Sequence, residues 1–309
     1  MTLSIPASPG GILLDVNGIG ISFGGLKAVQ NFTLKMPRGC LYGLIGPNGA
    51  GKTTIFNLLT GVYQAQRGTI TLDGRRVEAL APHKIAAAGL SRTFQNIRLF
   101  GDLTVLDNVK LACHLRGRHG IWSTVLRMPG FLAQEKAITA RAMEMLDVFG
   151  LGQLAGEQAR NLPYGDQRRL EICRALATEP KVLLLDEPAA GMNPSEKRAL
   201  AGTITTIRER FGLAVLLIEH DMGLVMDICQ NITVLDHGEV IAVGTPRQVQ
   251  DDPKVVEAYL GAPEAGMQAE ADHGGTKVFD GGPSGDGRLG AAAGEAGGTG
   301  RGGGSHGTA

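Results

Sequence analysis

Eight consecutive residues have the types and spacing to hold phosphate. Gly46-Pro47-Asn48-Gly49-Ala50-Gly51-Lys52-Thr53 fits the pattern GxxxxGK[ST]. Glycines let the main chain wrap closely around an anion with its N–H groups turned inward. A helix beginning near Thr53 would present its positive end to the same anion. Lys52 has the reach for the β- and γ-phosphates, and the Thr53 hydroxyl suits Mg²⁺. Together with Thr54, these residues form the expected binding set for ATP.

Two further clusters could act on the bound nucleotide. The apolar run VLLL leads into Asp186-Glu187-Pro188. A carboxylate at the end of a buried strand facing the phosphate loop suits a Mg²⁺ ligand, and that is Asp186. Glu187, one residue on, is placed to take a proton from attacking water. A second run, AVLLIEH, ends in Glu219 and His220. His220 follows a buried strand on the same edge of the sheet, from which it could hydrogen-bond the γ-phosphate. The remaining histidines are read as structural.

These residues need a scaffold of strands feeding loops at one edge. Leu41 to Ile45, Val182 to Leu185 and Ala214 to Ile218 are continuous apolar runs of the kind found in buried parallel strands. Between the last two, Pro194 suits the first turn of a helix in which Leu200, Ile204, Ile207 and Phe211 repeat at helical spacing. Strands alternating with helices argue for α/β layering. From about 103 to 178 no strand is apparent. There Ile138, Ala142, Met145 and Phe149 form a helical stripe, so a helical subdomain inserted into the α/β core is expected. ITVLDHGEVIAVG reads as a hairpin turning at Asp236-His237-Gly238.

Composition narrows the function. The chain has 309 residues, 43% hydrophobic and 19% charged, with equal numbers of acidic and basic side chains. That is ordinary globular composition with no basic field to attract nucleic acid. No apolar run approaches the roughly 20 residues of a spanning helix. MTLSIPASPGG has neither the basic start nor the apolar stretch of a signal peptide. The four cysteines show no CxxC spacing and read as buried thiols. The composition changes near Gly261. Residues 1–261 read as the folded domain, and 262–309, mostly Gly, Ala, Ser, Asp and Glu, as a disordered tail.

In this order, these motifs resemble the ATP-binding subunits of ABC transporters over about residues 12–261. The decisive addition is Asn161-Leu162-Pro163-Tyr164-Gly165-Asp166-Gln167-Arg168-Arg169, which is similar to the LSGGQ signature that other P-loop ATPases lack. The resemblance implies an α/β P-loop NTPase fold: a RecA-like core with a mixed sheet, plus a helical subdomain. It implies a dimer in which the signature of one subunit closes over ATP held by the other, with Gly165 touching that nucleotide. It also implies that Gln95, in SRTFQNIRLF, contacts Mg²⁺ or the attacking water and senses a membrane subunit. Phe23, in ISFGG, would stack on adenine; its other reading is a core phenylalanine. Ala190-Gly191-Met192-Asn193 would cross the dimer interface.

TFQNIRLFGDLTVLDNVKLACH, LPYGDQRRLEICRALAT, DEPAAGMNP and VVEAYLG are more specific still. They resemble the LivG-type ATPases of branched-chain amino acid importers. That resemblance implies a peripheral subunit on the cytoplasmic face of the inner membrane. Its partners would be a second ATPase subunit, two membrane permeases and a periplasmic substrate-binding protein. Importers of urea, amides or other amino acids, and the lipopolysaccharide exporter, have similar ATPases and stay open as alternatives. Soluble ABC ATPases of DNA repair fit poorly, because the interval from phosphate loop to signature is short and lacks sustained heptads. Three positions depart from the family pattern. Pro163 replaces the signature serine, Asp166 its glutamine, and Asn193 the usual aspartate.

Overall fold

The continuous apolar runs of the sequence form buried parallel strands in the computed structural model, which describes residues 11–114 and 129–260. The described residues fall within one of the two units of the chain, Met1–Pro263. The predicted tail, 262–309, lies outside them. In chain order the elements are β1 (Ile12–Phe23), β2 (Leu26–Pro37), β3 (Leu41–Ile45), α1 (Lys52–Leu59), β4 (Arg67–Leu72), β5 (Arg75–Arg76), α2 (Pro82–Ala88), β6 (Leu90–Arg92) and α3 (Val105–His114). There follow α4 (Pro129–Val148), α5 (Tyr164–Leu176), β7 (Val182–Asp186), α6 (Pro194–Phe211), β8 (Ala214–Ile218), α7 (Met222–Ile228), β9 (Asn231–Asp236), β10 (Glu239–Gly244), α8 (Pro246–Gln250) and α9 (Pro253–Leu260).

The main sheet has the order β10-β9-β3-β8-β7-β6. All its pairs are parallel except β9 with β10, so the sheet is mixed. Every residue of β3, β7 and β8 is buried. Because side chains alternate between faces along a strand, each strand serves two cores. Leu41, Ile45, Leu183, Leu185, Val215 and Leu217 pack with the helices of one layer, including Ala142 and Met145 of α4 and Phe149 just beyond its end. Tyr42, Leu44, Val182, Leu184, Ala214 and Leu216 pack with α1 and a second sheet on the other side.

That second sheet differs from the strand–helix alternation of the main one. It is antiparallel, in the order β2-β1-β4-β5. Over much of β2 and β4 the burial alternates with period two. In β2, Phe32, Leu34 and Met36 face the core while Lys35 is exposed, the pattern of a sheet with one wet face. Between residues 103 and 178 the described backbone is helical or irregular, apart from one isolated bridge between Thr104 and Gln158.

The hairpin of β9 and β10 turns through His237 and Gly238, with φ of 44° and 80°. Two left-handed residues suit the twist of a two-residue hairpin. In α6, Leu200, Ile204 and Ile207 are buried, but Phe211 is not a core residue. It lies on the last turn, where the helix runs out of core, with the Arg210 guanidinium 5.8 Å from its ring.

Asn193 caps α6. Its side-chain oxygen accepts from Ser195 N and Glu196 N, both at 3.0 Å, while Glu196 Oε2 accepts from Asn193 N at 2.9 Å. This reciprocal box satisfies helix-end amides that would otherwise lack partners. Asn193→Ala should therefore cost about 1 kcal/mol in urea unfolding, and Asn193→Asp almost nothing. Equal stability of the alanine and wild-type proteins would refute the cap.

Candidate active site

Four loops leave the carboxyl ends of four neighbouring strands. The phosphate loop follows β3, Glu219 and His220 follow β8, Asp186 ends β7 with Glu187 next to it, and Thr93 to Gln95 follow β6. In open α/β sheets ligands bind outside the carboxyl ends of the strands. The order β3-β8-β7-β6 therefore sets the phosphate loop, His220, the carboxylate pair and Gln95 in a row.

The phosphate loop is braced from behind. Gly238 N, in the β9–β10 turn, donates to Ala50 O at 2.9 Å, and Gly238 O accepts from Gln30 N at 2.7 Å. Lys52 is buried, and its Nζ donates to Gly46 O at 2.6 Å and Pro47 O at 2.9 Å. Burial lowers its pKa, while the charges of Glu187 and Asp186 act in the opposite direction. The ammonium is thus within electrostatic reach of the two carboxylates singled out from the sequence.

Asp186 is buried at the end of β7. Its Oδ2 accepts from Arg92 Nη2 at 2.5 Å, while its Oδ1 is buried with no hydrogen-bond partner. Arg92 in turn donates to Asn57 on α1 at 2.6 Å, with the rings of Phe56 and Phe94 beside it. Among the described residues no group of three His, Cys, Asp or Glu could hold a metal. A single buried carboxylate with one unclaimed oxygen fits Mg²⁺. That ion takes few protein oxygens and completes its shell with phosphate and water.

Glu187 is the centre of the constellation. Gln95 Nε2 donates to its Oε2 at 2.9 Å, and His220 Nε2 lies 2.9 Å from its Oε1. Its φ is 48°, an uncommon conformation for a residue with a side chain, and its N–H donates to Ile218 O at 2.9 Å. Left-handed residues of this kind cluster where the surrounding structure fixes a functional group. The structure thus brings together Gln95, Glu187 and His220, and sets Lys52 and Asp186 beside them.

Phe23 and Gly165 stand outside this cluster. Phe23 ends β1, is half exposed, and meets the Tyr63 ring edge-on with centroids 5.2 Å apart. Pro163 is the N-cap of α5, and its carbonyl accepts from Asp166 N and Gln167 N at 3.0 Å. The amides of Tyr164 and Gly165 come before these and have no acceptor within the helix.

Sequence reasoning passed over three charged residues of the site. Arg92 orients Asp186, and its signal was a charge inside a short buried strand. Glu219 accepts from Ala189 N at 2.7 Å and His220 N at 3.2 Å, tying the loop after Glu187 to the histidine. Burial raises its pKa, an effect that its backbone hydrogen bonds oppose. Arg168, within the signature, is fully buried.

The ABC transporter family model matches residues 29–190, and that of the branched-chain amino acid ATP-binding cassette transporters matches 239–265. The chain is 47% identical over 249 residues to the high-affinity branched-chain amino acid transport ATP-binding protein LivG of Salmonella typhimurium, covering 81% of this chain and 98% of that protein. It is 45% identical to BraF of Pseudomonas aeruginosa, with the same coverage. Among solved structures, the ADP conformation of MJ1267, an ATP-binding cassette of an ABC transporter, matches with a TM-score of 0.71 at 29% identity, covering 81% of this chain and 99% of that one. With the phosphate loop, the carboxylate pair, the histidine and the signature helix on one scaffold, the chain belongs to the ABC transporter family and is an ATPase of the LivG type.

Proposed function

We propose that this chain powers an importer of branched-chain amino acids by hydrolysing ATP on the cytoplasmic face of the inner membrane. The observation that carries the catalytic part is the Glu187 carboxylate, held between Gln95 and His220 at 2.9 Å on either side. The substrate class rests on the likeness to LivG and BraF and on the C-terminal match. The proposed assembly is a second ATPase subunit, two membrane permeases and a periplasmic binding protein. Among the described residues no helix is long and apolar enough to cross a membrane, so permeases would supply the path.

Lys52 and the N–H groups of Gly46 and Asn48 to Thr54 would neutralise the triphosphate. Thr53, Asp186 and Gln95 would hold Mg²⁺, which when bound draws charge from the phosphate oxygens. Glu187 orients water and takes its proton, and His220 steadies the γ-phosphate. Phe23 would carry the adenine, with its ring already propped against Tyr63. A groove of about 920 Å³ runs behind the Gln95 loop, lined by Val62, Phe94, Phe100, Leu111 and Arg174. Exposed Val62, Phe100 and Leu111 suit an apolar helix of the permease, which would press on the loop that carries Gln95.

The partner's nucleotide would be closed by Gly165 and the free amides at the start of α5, because Pro163 has no hydroxyl to offer. Gly165→Asp should abolish most ATPase activity, while Pro163→Ser should change it little. Equal losses in the two variants would refute this division. The function is tested by reconstituting the chain with its neighbouring permeases and binding protein. Leucine, isoleucine or valine should stimulate ATP hydrolysis. Stimulation by urea or short amides alone would overturn the substrate class.

A further inference from the structure

Arg168 is the largest fully buried side chain of the described structure. Four of its five N–H groups are used. Nη1 donates to Phe94 O at 2.7 Å and Glu171 Oε2 at 2.9 Å. Nη2 donates to Gln95 O at 2.7 Å and the Tyr164 hydroxyl at 3.0 Å. Glu171 Oε1 accepts from Phe94 N at 3.4 Å and Arg98 N at 3.3 Å. One ion pair on the signature helix therefore grips the Gln95 loop by its carbonyls and its amides together. Tyr164 continues the chain of contacts. A Cβ on Gly191, in the loop after Glu187, would meet the Tyr164 ring at 3.3 Å.

A buried ion pair is a poor way to gain stability, since apolar side chains of equal volume do as well or better. What it can do is fix main chain that has no strand or helix to fix it. The guanidinium fork suits this, because its donors lie in one rigid plane. We propose that Arg168 and Glu171 are positioning residues of ATP hydrolysis. They set the Gln95 amide against Glu187 and carry any displacement of the Gln95 loop directly to the nucleotide-closing end of α5. The inference rests on the roles given above to Gln95 and Glu187.

The test is a double-mutant cycle on kcat, using the full chain assembled with its permeases and second ATPase subunit. Arg168→Lys keeps a charge beside Glu171 but cannot make the forked contacts. It should leave the Kd for ATP within about twofold and lower kcat by roughly tenfold. In a Gln95→Ala background the same change should lower kcat by less than about twofold, because the residue through which it acts is gone. Losses that multiply in the double variant would overturn the proposal, since a merely weakened helix adds its effect in any background. Glu171→Gln is a second route. It keeps the shape and the acceptor for Phe94 and Arg98, and it should show the same non-additivity with a smaller loss. Gln95→Ala with unchanged kcat would overturn the proposal by a different route, by removing the role of Gln95 itself.

Discussion

Glu187→Gln protein is expected to bind ATP as tightly as the wild type and to turn it over about 10²–10⁴-fold more slowly. The amide replaces the carboxylate at equal size, and its oxygen can still accept the hydrogen bond that Gln95 Nε2 gives at 2.9 Å. The strained main chain, with φ of 48°, treats the two side chains alike. What is lost is the basic oxygen. ATP affinity should not fall, because one of two carboxylates near the triphosphate loses its charge and repels phosphate less. Lys52 loses one of the two charges that support its protonation but keeps Asp186. Single-turnover kinetics together with calorimetric ATP binding would read both quantities. Near-normal turnover would move the base elsewhere. His220→Ala and Gln95→Ala should each cost less than Glu187→Gln, because each leaves the carboxylate in place.

The arrangement behind this prediction was legible in the sequence because its parts end continuous apolar runs. Such a run, if a parallel strand, must deliver the residues that follow it to the binding edge of the sheet. Asp186 and Glu187 end one such run and His220 follows another, and β7 and β8 deliver them to that edge. The order of the strands was not legible. Nothing in five apolar residues says that β8 lies between β3 and β7, yet that order decides that His220 reaches Glu187.

Three other features escaped for related reasons. Two strands of the antiparallel sheet are written in alternation, as in Phe32, Leu34 and Met36 of β2, and lack the unbroken runs that marked the core. Arg168 sits in a string that already had one meaning as a signature, and Glu171 lies two residues beyond it. Their partners, Phe94 to Arg98, are more than 70 residues away in the chain, so no local pattern joins them. Arg92 pairs with Asp186 across the β6–β7 edge, over a separation of 94 residues. Charges whose partners lie across the sheet are invisible to periodicity, although a charge in a short apolar strand is a sign that such a partner exists.

The second large effect should come from a single methyl group. Gly46 has φ of 148°, a conformation kept almost entirely for glycine, and a Cβ built there would lie 2.0 Å from Leu235 O. Neither side of that clash can yield cheaply. Leu235 O belongs to β9, whose residue Val234 pairs with Ile45 on β3, and Gly46 is the first residue after β3. Gly46→Ala must therefore separate the ends of two core strands or push the phosphate loop out of its cradle. Backbone strain and overpacking together should cost roughly 3 kcal/mol or more of stability, and the displaced amides should no longer converge on phosphate. Gly49→Ala separates the causes. Gly49 also has positive φ, 81°, but an added Cβ there meets nothing within 4 Å. It should cost only the local strain, about 1–2 kcal/mol for an L residue held left-handed. Thermal unfolding and ATP titration of both variants decide the matter. If Gly46→Ala bound ATP as well as Gly49→Ala, close packing of the loop against β9 would not be what shapes the phosphate site. If it loses both binding and stability while Gly49→Ala keeps most of each, the β9–β10 hairpin is part of the nucleotide site without touching the nucleotide.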